Sequence, residues 1–487
     1  MSGGRRGGRG GLGGRAGITA GSRYDRTVVR WGQGAEMSAY EAAIWHVSDR
    51  ATLRAASVVV ELLDATPDFE RLIAGHAWAL GRVPRLRQRV VSDPIRLGPP
   101  AWADTPVDLD YHMRRVPLGP GAEFADVLEV ASSMHETTFD PARPLWEAAL
   151  VEGLPGGQAA YVLKFHHAMA DDLALVALFE LLHSQVREPT VSGARQLPPP
   201  IHETCTPLRL SARHVLAAVH RTPLAGARMM RGVASAGAAG LRDPTGGAGR
   251  SAVAVRSAGR SLASLRWAGP ELLRRRSPRR AFDAIDLPLD RLRAAGAAGG
   301  GRVADAALAA TIDGIGRYHA ALGAPIDELP VAVPLRVRLD GSGDRLPRAR
   351  ILAPAGPVEP AQRIATLSRL VAEAESRPHV DVLRAGAPLV SRAPTALVGR
   401  LLELANRPVA LQGFVVSGLT RDAYLAGAQV LQMFSFAPTS GCALAMTLLS
   451  HQDTSCIAFN FDRDAIADPE TMGRCLREAF AELVRDA

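Results

Sequence analysis

Lysine is almost missing from this sequence: Lys164 is the only one in 487 residues, and arginine carries the rest of the positive charge. That skew is the mark of a GC-rich coding sequence and excludes no function by itself. Cysteine is scarce too. Cys205, Cys442, Cys456 and Cys475 are scattered, with no C-x-x-C spacing. This excludes a disulfide framework and a cysteine zinc site and leaves small buried residues or idle thiols. No uninterrupted apolar run approaches the roughly 18 residues of a membrane-spanning helix. The opening residues are glycine and arginine, with no apolar signal region, so the compartment expected by default is the cytoplasm.

What is present suits a globular chain, with 47% hydrophobic and 22% charged residues. The length is too great for one ordinary core and points to two or more domains. Charge is uneven. The first sixteen residues hold Arg5, Arg6, Arg9 and Arg15 and no acid, and residues 208–280 hold fifteen arginines against Asp243 and Glu271. Together these exceed the whole chain's +8, so the remainder is net acidic.

Four regions follow from composition and periodicity. Residues 1–36 are a Gly/Arg tail expected to be disordered. Residues 37–188 read as a mixed α/β half. Ser38 and Glu41 open it as a capping box. "AASVVVELL" is a strand, and "DFERLIAGHAWALGRV" is an amphipathic helix capped by Asp68. "LWEAALVEGL" and "AAYVLKFHH" are strands joined by "PGG", and "LALVALFELLHSQV" is a closing helix. Residues 189–280 are a basic Pro/Gly/Arg-rich connector, in which "LRLSARHVLAAVHRTPLAGARMMRGV" has the spacing of a basic amphipathic helix. Residues 281–487 form a second α/β half that ends in the helix "DPETMGRCLREAFAELVRD".

The stretch "FHHAMADDL" places two imidazoles where a strand meets a helix. A neutral histidine can accept a proton near neutral pH, and a carboxylate four residues on can anchor the turn. No serine or cysteine nucleophile stands in the stretch, so direct attack by an activated alcohol or amine fits better than a covalent intermediate. The dipeptide alone is more often structural than catalytic. Adjacent strand residues point to opposite faces, so no metal site is read here.

"HHAMADD" resembles the HHxxxDG motif of CoA-dependent acyltransferases. "MSAYEAAIWHVSD", "FDPARPLWEAALVEGL", "VAVPLRVR", "YLAGAQVLQMFSFAP" and "FNFDRDAIADPETM" resemble, in order, segments of the bacterial wax ester synthase/diacylglycerol acyltransferase family. The resemblance runs from Met37 to the C-terminus and weakens in the connector. It implies two chloramphenicol-acetyltransferase-like halves with a site in a tunnel between them, acyl-CoA as co-substrate and no cofactor. The acceptor it implies is diacylglycerol or a long-chain alcohol. It makes His167 the general base, with His166 supporting it. Asp171 would hold the loop through an arginine such as Arg336, and Trp146 and Ser417 would contact substrate.

The sequence departs from the family at several points. Asp172 stands where the family has Gly, Ala304-Asp305 replaces its ND pair, "SGLTRD" replaces SNVPGP, and Ser440-Gly441 replaces a late DG. Two readings follow: a working O-acyltransferase, or a catalytically impaired paralogue that binds acyl lipids or scaffolds a lipid surface. Nucleic acid is the weakest partner reading, because Trp267 is the only aromatic in residues 208–280. A membrane or lipid-droplet surface suits arginine interleaved with Leu, Val and Met better, which makes the protein a peripheral one.

Overall fold

The β-branched run near the start becomes β1 (Ala56–Leu63), a strand buried on both faces. Val59 and Leu63 enter one core and Val58 and Val60 another, the period-two alternation of a strand. The computed structural model describes residues 35–48, 50–170, 178–188, 205–217, 269–334, 348–376, 399–400, 403–404, 406–419 and 421–485. Residues 1–34 of the expected disordered tail, most of the connector, Asp171, Asp172 and Arg336 lie outside the described residues, while Glu36, at the end of that tail, is ordered by a bridge to Ala101.

Upstream of β1, α1 (Ala39–Val47) starts at the expected capping box, with Glu41 N–H donating to Ser38 Oγ and Ser38 N–H to Glu41 Oε2. Downstream, α2 (Phe69–Arg82) is capped by Asp68, which accepts from Arg71 N–H at 2.7 Å. The ribbon of β2 (Gln88–Val91) and β3 (Ala101–Asp104), then β4 (Met113–Pro117) and α3 (Phe124–Glu136), lead to a hairpin. That hairpin joins β5 (Trp146–Glu152) and β6 (Ala159–His166). Its turn is "PGG", where Gly156 and Gly157 take φ of 70° and 77°, a region closed to most side chains. The closing helix is shorter than its periodicity suggests. Its described part covers 178–182, and Ser184 then bridges to Tyr424, which draws the chain into a sheet edge.

The second half supplies β7 (Arg280–Pro288), β8 (Glu328–Pro334), β9 (Arg348–Pro354), β10 (Leu411–Ser417), β13 (Leu444–His451) and β14 (Thr454–Asp462). These form a sheet in the order β7-β14-β13-β10-β8-β9. Onto it pack α4 (Leu289–Ala298), α5 (Val303–Ala321), α6 (Pro360–Ser376) and α7 (Pro469–Leu483). Two strands of this half do not stay with it. β11 (Tyr424–Leu425) and β12 (Ala428–Phe436) join the first sheet, in the order β11-β12-β1-β6-β5-β4. β12 pairs with β1 from Val58↔Phe436 to Leu63↔Val430. The boundary by chain order at residue 281 is therefore not the boundary by sheet.

Where the halves meet, Phe282 of β7 stacks on Phe436 of β12 at 4.1 Å. Beside them Arg280 Nη1 lies 3.1 Å from Asp462 Oδ2, with both side chains buried. Asp462 also accepts from Ser277 N–H and Oγ–H at 2.8 Å, and Arg280 N–H donates to Glu136 Oε1 at the end of α3. A buried carboxylate with several donors offsets its lost hydration, but an arginine stripped of that partner does not. Asp462→Asn is therefore expected to destabilise the protein by about 3–5 kcal/mol, read as a fall in the urea midpoint at unchanged m-value. A loss within about 0.5 kcal/mol would show that the pair does not stabilise the β7–β14 edge of the second sheet.

Candidate active site

β6 carries the histidine pair to its carboxyl end, and both neighbouring segments pin the turn that follows. His166 N–H donates to Leu145 O at 3.0 Å, His167 N–H to Ala55 O at 2.7 Å, and Met169 N–H to His166 O at 2.8 Å. The two imidazoles differ in surroundings: His166 is buried and His167 is half-buried.

The hydrogen bonds settle the tautomer of His166. Nδ1 accepts from Ala168 N–H at 3.1 Å, so the ring proton sits on Nε2. Nε2 then donates to Ser48 Oγ at 2.9 Å, and Ser48 passes its own proton to Trp45 O at 2.8 Å. Trp45 and Phe139 present ring edges at 5.4 and 5.9 Å. Burial pushes His166 down to about 3, and the charge of Lys164 adds to this. A nitrogen that accepts from the backbone and another that already carries its proton leave no vacant lone pair for catalysis. His166 is thus engaged at both ring nitrogens.

Two residues upstream, Lys164 shares the His166 side of β6. Its Nζ donates to Thr137 Oγ1 at 2.7 Å and Thr137 O at 3.1 Å, lies 3.7 Å from Glu147 Oε2 and sits over Phe139 at 4.2 Å. Burial pushes it down to about 8, opposed by Glu147. Lys164 thus clamps the 137–139 loop, and that loop supplies the ring beside His166. Ser48, Trp45, Phe139 and Lys164 were not among the site residues expected from the sequence. The signal available was the lone lysine within a strand too apolar to be a surface one.

Trp146, expected at the substrate, is a core residue. Its Nε1 donates to Leu86 O at 2.8 Å, and its ring stacks on His112 at 4.5 Å. It is buried and packs β5 against His112 and against His76 of α2. Ser417 ends β10 opposite Ser450, and its side chain lies outside the described residues. Its neighbours bring the second half to the site. Val416 and Leu419 pack on the core that contains Met169, Ala170, Leu178, Phe179 and Leu449. The second sheet therefore reaches the first core just after the histidine turn. Among the described residues no cluster of His, Cys, Asp and Glu is built to hold a metal ion.

His76 and His135 are buried like His166, and burial pushes them to about 4 and about 3. All three stay neutral in the native protein, whereas the unfolded chain takes up their protons below about 6.5. Their contribution to stability is complete above that pH and is lost as pH falls towards the folded values. The loss is up to about 1.4 kcal/mol per pH unit for each. His183 is an exception. Burial lowers it, but Glu61 at 2.9 Å outweighs burial and raises it. Urea titrations from pH 7 to 5 should show stability falling steeply, and His166→Gln should remove about one proton from the slope. A flat profile would contradict neutral burial. Ser48→Ala leaves Nε2–H without its acceptor and should lower stability by about 1–3 kcal/mol in the same titrations.

The chain matches the wax ester synthase/diacylglycerol acyltransferase catalytic domain over residues 37–307 and the C-terminal domain of that family over residues 354–484. A Mycobacterium tuberculosis protein provisionally named a diacylglycerol O-acyltransferase is 33% identical over 451 residues, covering 88% of each chain. Another, with a similarly provisional name, is 25% identical over 448 residues, 90% of this chain and 92% of that one. The wax ester synthase/diacylglycerol acyltransferase from Marinobacter aquaeolei VT8 superposes with a TM-score of 0.62 at 20% identity, over 93% of this chain and 99% of that one. A variant of the starter condensation domain of rhizomide synthetase, in complex with C8-CoA, superposes with a TM-score of 0.52 at 15% identity, over 93% and 95%. These structures speak for the fold alone, the two-half α/β architecture related to chloramphenicol acetyltransferase. With both family domains matched in order and a relative one-third identical over most of its length, the chain belongs to the wax ester synthase/diacylglycerol acyltransferase family.

Proposed function

We propose that this protein is an O-acyltransferase that moves a long-chain acyl group from acyl-CoA to diacylglycerol or a long-chain alcohol, forming triacylglycerol or wax ester. The observation that carries the reading is the placing of the histidine pair at the carboxyl end of β6, with His166 held as a neutral tautomer and His167 half-buried beside it at the head of the turn. In this mechanism His167 accepts the proton of the acceptor hydroxyl as its oxygen attacks the thioester carbonyl. The tetrahedral oxyanion collapses, the carbon–sulfur bond breaks, and the departing CoA thiolate takes the proton from the imidazolium. The products are an ester and free CoA, with no acyl-enzyme and no resident cofactor. Asp171 anchors the turn through Arg336, and Ser417 contacts substrate from the second half.

We place the protein in the cytoplasm, resting peripherally on a membrane or lipid inclusion. Among the described residues no helix is long and apolar enough to cross a membrane. A second reading, an acyl-lipid-binding scaffold without catalysis, is favoured by Asp172, Ala304 and the "SGLTRD" loop. Asp305, the retained half of the altered pair, is engaged in capping α5, accepting from Arg302 N–H at 2.8 Å and pairing with its Nε at 3.2 Å.

Purified protein given labelled long-chain acyl-CoA with a panel of alcohols and mono- and diacylglycerols should release labelled ester. His167→Ala should lower that rate by about 10²–10⁴-fold while the melting temperature moves little. His166→Ala should instead lose stability first. Transfer that survives His167→Ala within about tenfold would remove His167 from the role of base. Acyl-CoA binding without ester from the native protein would favour the scaffold.

A further inference from the structure

Among the described residues, ten large apolar side chains stand exposed, and five of them fall in two short segments. Ile95 and Leu97 lie in the loop after β2, and Leu208 (79% exposed), Val215 and Leu216 (59%) lie on the helix over 207–217. Buried Asp93 binds the two segments together. Its carboxylate accepts from Ile95 N–H at 3.1 Å and Leu97 N–H at 3.0 Å, and from Ser211 Oγ–H and His214 Nδ1–H, each at 2.6 Å. The contact is close as well as polar: a Cβ added at Gly98 would lie 2.4 Å from the His214 ring. The helix is therefore seated on the fold by Leu210, Ser211 and His214, and its other face is bare.

That bare face is patterned. Leu208, Ala212, Val215 and Leu216 recur at helical spacing on the outer side, with exposed Arg209 and Arg213 along one flank. Arg213 also pairs with Glu36 at 2.7 Å. Residues 207–217 contain no acid. In the loop, Arg96 takes a φ of 53°, a turn few non-glycine residues adopt, and Ile95 and Leu97 stand exposed on either side of it. An apolar stripe edged by guanidinium groups matches an interface of acyl chains beneath anionic headgroups, where the stripe inserts and the arginines bind phosphate. The surface also adjoins the site. Ser92, next to Asp93, accepts from Trp45 Nε1 at 3.4 Å, and the Trp45 ring is the one 5.4 Å from His166.

We propose that the helix over 207–217 and the loop tip over 94–97 form the face by which this protein docks on an anionic phospholipid bilayer, bringing the histidine pair beside the lipid. The purpose of this docking, though not its evidence, rests on the reading that the acceptor is a lipid alcohol. The test is co-sedimentation of the full chain with vesicles of equal parts phosphatidylcholine and phosphatidylglycerol at about 0.15 M salt. The triple variant Ile95→Asp/Leu208→Asp/Leu216→Asp should lower the bound fraction by about tenfold, at a melting temperature close to native. The control Val186→Asp/Leu404→Asp changes exposed apolar residues elsewhere and should bind as the native protein does. Acyl transfer to a short-chain alcohol without vesicles should be the same in all three. Three results would overturn the proposal: equal pelleting of the triple variant, no pelleting of the native protein, or a native dimer that the triple variant abolishes, which would make the face a contact between two copies. Vesicle binding that behaves as expected while no alcohol is acylated would sink the transferase reading and leave this surface standing.

Discussion

The pairing of β1 on both edges is the constraint from which the rest of the architecture follows. On one side β6 lies antiparallel to it along its full length, with Ala56 opposite His166. On the other side β12 arrives from the second half of the chain. A strand hydrogen-bonded on two edges is held in register by both partners, and a one-residue slip would carry buried Glu61 to the opposite face, away from His183. The carboxyl end of β6 is set by that register, and with it the position of the histidine pair. The loan of β12 also couples the halves. The first sheet cannot be complete without the second, and the Phe282–Phe436 stack and the Arg280–Asp462 pair lie beside the loan.

Within that frame, two chemically identical residues acquire different duties. His166 is surrounded: a backbone donor on one nitrogen, a hydroxyl acceptor on the other, aromatic edges around it and a buried ammonium two residues away on the same strand face. The backbone donor, burial and the ammonium disfavour an imidazolium, and Ser48 fixes where the neutral ring keeps its proton. The histidine becomes a rigid neutral joint between α1, the loop before β5 and the strand end. Its neighbour lies one position further on, past the end of β6 and in the turn. The difference in surroundings comes from where the strand stops and from a helix end that offers Ser48.

Much of this could be read in the residues. The capping box at Ser38, the β-branched run of β1 and the "PGG" hairpin are local signals, and each appears where periodicity and turn chemistry place it. The histidine pair stood out because its residue types carry chemistry. What stayed hidden was long-range. Nothing in "AQVLQMFSF" tells which strand it pairs with, because its mostly apolar pattern fits the edge of either sheet. Ser48 and His166 are separated by 118 residues, and Thr137 and Lys164 by 27. Trp146 shows the opposite failure. A tryptophan in a distinctive motif invites a binding role, yet its size and a backbone acceptor at Leu86 made it core. The unpatterned remainder gives periodicity nothing to act on.

The lone lysine has a consequence for reactivity. Thioesters are attacked by neutral amines, and the small neutral fraction of surface lysines is the usual side-chain target on a protein. Lys164, the one ε-amine in this sequence, is buried, hydrogen-bonded twice to Thr137 and covered by the Phe139 ring. Every other side-chain cation apart from histidine is a guanidinium, which stays protonated and does not acylate under such conditions. Whatever the origin of the arginine bias, the protein presents an exterior without lysine amines to any activated acyl group it meets.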